Sequence, residues 1–176
     1  SLIATTVKPY LKKLSDKYGE AVSFYTIYST PNGLYDLNML TGIEGTHNLN
    51  VNVKWNLSTK NECYCAASGK CLLAFTDGID LKAYKTAKLK KFTDKTISTY
   101  TGLVKELQKI KEQGYAFDDE ERELGLFCIG VPVLSNGKAE GAISISGPVS
   151  RIKDNLDDKI ATMQALSLEI ADALFI

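Results

Sequence analysis

LFCIGVPVLSNGKAEGAISIS, residues 126–146, is the stretch that decides the fold. Leu126 to Leu134 is a short run rich in apolar and β-branched residues, and it reads as a buried strand. Ser135-Asn136-Gly137-Lys138 then reads as a hairpin turn, because Asn and Gly accept the positive φ that tight turns demand. Gly141 to Ser146 is the returning strand. Its period of two puts Ser144 and Ser146 on one face and Ile143 and Ile145 on the other. Two hydroxyls side by side form a hydrogen-bonding shelf; a half-exposed strand with its polar face in water would show the same pattern.

Working outward, residues 102–113 form a helix with Leu103, Leu107 and Ile110 inward, and Gly114 stands where a helix ends. On the other side, Leu156, Ile160, Met163, Leu166, Ile170 and Leu174 stripe a long amphipathic helix over about 154–174. Residues 3–18 repeat Val7, Leu11, Leu14 and Tyr18 before Gly19, and predict a helix; Pro9 predicts an irregular first turn or a start nearer Pro9. Residues 21–29 and 34–41 read as strands joined by the turn Pro31-Asn32-Gly33. Asn48 to Leu57 alternates apolar and polar side chains and predicts a third strand. A short apolar helix at 66–75 and a Lys-rich helix at 79–92 complete the chain. The order is α–β–β–β–α–α–α–β–β–α, an α+β class with a largely antiparallel sheet. A sheet of this kind can wrap one face around a ligand and cover the other with helices.

Composition narrows the function. The 176 residues fit one domain, spanning 1–176, with a sizeable core. The 21 basic and 21 acidic residues cancel, so nothing in the charge balance favours nucleic acid or an anionic membrane surface. No apolar run approaches the ~18 residues that span a bilayer. No secretory signal is present, and four cysteines in this length suit a reduced, cytoplasmic protein better than a disulfide scaffold. The start at Ser1, without Met, reads as a processed chain or an expressed fragment.

No enzyme constellation stands out. The single histidine, His47, lies in a polar stretch without a nucleophile, and no GxGxxG, P-loop or GxSxG motif occurs. The run Asp118, Asp119, Glu120, Glu121, Glu123 reads mainly as solvated. Cys63 and Cys65 lack the two-residue gap of common zinc knuckles, and Cys71 sits in an apolar helix; we expect neither metal nor cofactor. Three features point to a small-molecule pocket. One is the Ser144/Ser146 shelf. The second is Cys65-Ala66-Ala67-Ser68-Gly69-Lys70, where small residues open a helix and its N-terminus favours an anion, though tight helix packing alone would also explain them. The third is Asp118, placed just after the aromatic turn Tyr115-Ala116-Phe117.

Taken in order, LQKIKEQGYAFDDEERELGLFCIGVPV (107–133) and GAISISGPVSR (141–151) resemble the effector domain of the IclR family of transcriptional regulators. FTDKTI (92–97) looks like that family's T-x-x-T-I stretch, and residues 66–75 like its A-x-G-K-x-x-L-A helix. The resemblance implies a GAF-like fold, with a curved antiparallel sheet, helices on one face and a ligand cavity on the other. It implies a sensor, not a catalyst, which binds small organic acids or related metabolites and changes affinity for operator DNA. It also implies homodimers or homotetramers, and DNA contact only through an N-terminal winged helix-turn-helix that lies outside this sequence. Carried over residue by residue, the ligand would meet Ala67, Ser68, Asp118, Cys128, Ser144 and Ser146. The serines and helix N–H groups would hold a carboxylate or carbonyl, Asp118 would select a donor-bearing ligand, and Cys128 would line the floor. The chain departs from the family between Gly42 and Tyr64, where LSTKNECYC (57–65) replaces a G-x-x-x-P-x-H-A-type approach to the helix. Two other readings remain open: an oligomerisation module without ligand, and a metal or redox sensor using Cys63, Cys65, Cys71 and Cys128.

Overall fold

The computed structural model describes residues 1–51 and 62–175. Five strands form one antiparallel sheet: β1 (Ala21–Ser29), β2 (Tyr35–Ile43), β3 (Ala116–Asp119), β4 (Leu126–Ser135) and β5 (Lys138–Pro148), in the spatial order β2-β1-β5-β4-β3. The 126–146 hairpin is present, with Asn136 at φ 53° and Gly137 at φ 77° in its turn. The helices are α1 (Leu2–Tyr18), α2 (Ala67–Phe75), α3 (Tyr100–Gln113), α4 (Val149–Lys153) and α5 (Leu156–Phe175).

Period-two alternation sorts the side chains into two cores. Val22 and Phe24 of β1, Phe127, Ile129, Val131 and Val133 of β4, and Ile143 and Ile145 of β5 pack against Val7, Leu11 and Leu14 of α1 and Ile160, Met163, Leu166 and Ile170 of α5. Residues of the other parity face a second core built from α2 and α3, around Leu72, Leu103, Leu107 and Ile110. The fold is α+β as expected, and the terminal helices cover the isoleucine face. The hydroxyl face carries α2 close above it.

Several elements differ from the sequence reading. Pro9 lies inside α1, which runs unbroken from Leu2; Ser1 Oγ accepts from Ala4 N (3.1 Å) and caps its first turn. Residues 79–92 hold only a short 3-10 turn, Lys82–Lys85. Tyr84 and Leu89 alone are buried there, too few to give a helix an inward stripe, and the Tyr84 hydroxyl accepts from Tyr35 N (2.9 Å). The sequence reading also missed β3, a four-residue strand. The terminal helix, Leu156–Phe175, is present as expected, and the sequence reading missed the short helix Val149–Lys153 before it, set off by Asn155 at φ 50°. Of the alternating stretch 48–57, residues 48–51 are not a strand, and the remainder lies outside the described residues.

Glycine sets the height of α2 above the sheet. A Cβ on Gly130 would lie 2.6 Å from the Ala67 carbonyl carbon and 2.7 Å from Ser68 N. A Cβ on Gly69 would lie 2.4 Å from Cys63 Cα. All these neighbours are backbone and cannot swing aside. The helix N-terminus therefore rests on β4 with no side chain between them. Gly130→Ala is expected to lower unfolding stability by about 3 kcal/mol, the upper end of overpacking costs; urea denaturation at matched pH checks it.

Candidate functional site

The register brings the hydroxyl-face residues into rows across the sheet. Ala21 pairs with Ser146, Ser146 with Cys128, and Cys128 with Asp118. The next row is Ser23, Ser144, Gly130 and Ala116. Over these rows sits the start of α2, and between floor and helix lies a cavity of about 50 Å3. All six residues singled out in the sequence line it: Ala67, Ser68, Asp118, Cys128, Ser144 and Ser146. They come from three strands and one helix, joined only by the fold.

The roof is a helix terminus without a side-chain cap, because its N-cap residue, Ala66, offers only a methyl group. The first N–H groups of a helix have no acceptor within it, and the helix dipole adds positive potential there. On the floor, Cys128 and Ser146 are cross-strand neighbours. Burial pushes the Cys128 thiol well above its usual range, and the neighbouring Asp118 adds to the effect. Cys65, also on the lining, is pushed up to about 12, chiefly by burial and against the pull of Arg122. Both stay protonated and serve as small apolar surface with a weak donor.

Asp118 is buried at the end of β3. Its Oδ1 accepts from Glu121 N (2.8 Å) and Arg122 N (3.4 Å), so the carboxylate folds the acidic run into a turn. Burial raises its pKa to about 7; the two backbone donors and Lys70 oppose the rise, while Glu121 adds to it.

The acidic run is not uniformly solvated, contrary to the sequence reading. Glu121 is buried, and its Oε2 accepts from Lys70 Nζ at 2.6 Å. Lys70 has no exposed surface and also reaches Glu106 Oε2 at 2.9 Å. Burial alone would discharge Lys70; the carboxylates of Glu121 and Glu106 outweigh it and hold the ammonium charged. The T-x-x-T-I stretch clamps the same turn. Thr93 Oγ1 donates to Glu120 O (2.6 Å), Thr96 Oγ1 donates to Glu121 O (2.5 Å), and Ile97 N donates to Glu121 Oε1 (3.3 Å). Asp118 thus owes its position to Lys70, one turn into the helix that roofs the cavity. The signal in sequence was a lone lysine between Gly69 and Cys71, in a helix apolar on every other side.

Sequence reasoning also missed Arg122, Tyr25, Leu37 and Val51 on the cavity wall. Arg122 stacks 4.3 Å from the centre of the Phe92 ring and pairs with Glu62 at 2.5 Å. The four cysteines are unpaired thiols, and no cluster of three or more metal-ligating side chains occurs among the described residues. No helix among them is long and apolar enough to cross a membrane.

The pattern of the family described as bacterial transcriptional regulator IclR C-terminal matches residues 2–172. The HTH-type transcriptional regulator BhcR of Paracoccus denitrificans is 36% identical over 117 residues, 65% of this chain and 40% of that protein. The chain spans less than two thirds of the length of this and other curated relatives that it matches. The crystal structure of the Thermotoga maritima IclR superposes with a TM-score of 0.84 at 29% identity, over 99% of this chain and 69% of that one. The inducer-binding domain of PobR from Acinetobacter, as a double mutant in complex with 3-hydroxybenzoic acid, shares the fold: TM-score 0.80 at 18% identity, over 95% of this chain and 96% of that one. The relatives are transcriptional regulators, not enzymes.

Two outcomes follow from the geometry. Lys70→Met leaves the Glu121 carboxylate buried without its cation, and should cost about 3–5 kcal/mol, whereas Lys70→Met combined with Glu121→Leu should recover most of that loss in urea titrations. Asp118 carries a folded pKa above its unfolded value of about 3.9, so the folded domain holds the proton more tightly, and stability falls as pH rises from about 4 to about 7. Asp118→Asn should remove that fall: melting temperatures of variant and parent converge near pH 4, and the variant melts higher at pH 8.

Proposed function

This chain belongs to the IclR C-terminal family of bacterial transcriptional regulators, and from that footing we propose that it is a sensor of a small organic acid, which through the longer protein modulates DNA binding. The observation that supports the reading is the convergence of Ser144, Ser146, Cys128 and Asp118 with the uncapped start of α2 around one cavity. A carboxylate there meets hydroxyl donors from below and backbone N–H groups from above, a pairing that suits an anion. Asp118, ionising near neutrality, accepts from a ligand hydroxyl when charged and donates when protonated. A domain of the same fold holds a hydroxybenzoic acid in the Acinetobacter protein, which favours ligands that combine a carboxylate with a second polar group. DNA contact belongs to a separate N-terminal unit, in keeping with the balanced charge. In that setting the sensor works in the cytoplasm as a homodimer or homotetramer.

Binding to the folded state alone raises stability, by about 2.7 kcal/mol at a hundred times Kd. A thermal-shift series with acetate, lactate, pyruvate and 3-hydroxybenzoate is expected to raise the melting temperature with at least one acid. Ser146→Leu, which fills the cavity, should abolish that shift while the domain stays folded. A flat series across a broad carboxylate panel, or an undiminished shift in Ser146→Leu, overturns the reading.

A further inference from the structure

The cavity is too small for more than a few non-hydrogen atoms, and a larger space adjoins it. Val51 and Leu126 line it on one side, and the same two residues line a larger groove of about 440 Å3 on the outer surface. Leu49, Leu124 and Pro148 line that groove as well. Leu49 and Leu124 are 71% and 69% exposed, two large apolar side chains facing water across one depression. Isolated exposed leucines are ordinary; a pair lining the groove that adjoins a polar cavity is a feature with direction.

The register supplies that direction. Along β4 and β5, Gly130 pairs with Ser144, Cys128 with Ser146, and Leu126 with Pro148. These are successive same-face rows, about 7 Å apart along the strands. The first two rows are small and polar and lie under the start of α2. The third is apolar and opens into the groove. The groove wall is also held in place: Arg151 Nη2 donates to Leu49 O (2.5 Å), and Arg151 is clamped by both oxygens of buried Glu20.

We propose that the groove is a second subsite of the same site, taking the apolar tail of an amphipathic carboxylic acid whose head lies over Ser144 and Ser146. The proposal rests on the sensor reading above and names its ligand class: a monocarboxylate with a hydrocarbon arm that reaches past Leu126 and Val51. The occupant follows from adjacency: Val51 and Leu126 border both spaces, and the same-face rows of β4 and β5 run from the cavity floor to the groove. A dicarboxylate or sugar acid would place its second polar end against Leu49 and Leu124.

Calorimetric titration of the chain with acetate, butyrate, hexanoate and octanoate tests this. Each methylene added beyond butyrate should tighten binding about fourfold while the groove still has room, as apolar burial predicts. Leu124→Asp lies at an exposed turn and should leave acetate and butyrate binding unchanged, while it weakens hexanoate at least tenfold. Leu124→Gln serves the same purpose if the charged variant does not fold. Binding of short acids with no gain from chain length overturns the second subsite and leaves the sensor reading standing. Failure of all four alkanoates to bind overturns the second subsite, while the sensor reading is decided separately by the thermal-shift series. A change in the oligomeric state of the ligand-free chain on Leu124→Asp, with hexanoate affinity intact, would instead make the groove a contact between copies of this chain, and overturns the proposal.

Discussion

An ammonium group sealed from water must be neutralised where it stands, and that requirement organises this domain. Lys70 lies in the first turns of α2 with no exposed surface, and Glu121 and Glu106 answer it from two other elements. Satisfying Lys70 pulls the turn after β3 against α2. That turn carries Asp118 at its start and Arg122 just beyond, so both reach the cavity wall because Glu121 is anchored behind them. Removing water from two charges costs several kcal/mol, and an apolar pair of similar volume could stabilise the fold equally well. What the ion pair adds is placement: it ties the roof of the cavity to one edge of its floor.

The close approach of α2 to the sheet is the second half of the same design. Gly130 and Gly69 leave no atom between helix and neighbouring backbone. Had Gly130 carried a side chain, the start of α2 would stand off the sheet, and its N–H groups would face a wider, wetter space. With both in place, the serine hydroxyls of β5 and the helix terminus look at one another across a gap of a few atoms.

Much of this was legible in the residues, for reasons that can be named. The 126–146 hairpin was readable because Asn136-Gly137 fixes a turn type and strict alternation fixes the faces. Helix α3 was readable because Leu103, Leu107 and Ile110 repeat at helical spacing before Gly114. The six lining residues could be singled out, but only the fold brings them to one place. Other features were hidden. β3 is four residues long, too short for periodicity to show, and the lysines of 82–91 mimic a solvated helix face although no inward stripe lies behind them. Glu121 looked like its acidic neighbours. Its burial depends on Lys70, a partner from a distant segment, and sequence patterns are blind to such pairs.

The pairing of β1 with β5 has a consequence for how the domain comes into being. Ala21 meets Ser146, and Ser23 meets Ser144, so strands from opposite ends of the chain lie side by side. The hairpins β1–β2 and β4–β5 are local and can form early, but this seam requires closure of a loop spanning most of the polypeptide. The floor of the cavity therefore carries the largest loop-closure cost in the sheet. A chain still emerging from the ribosome, or one cut between the two hairpins, would hold every lining residue and yet present no cavity to a metabolite.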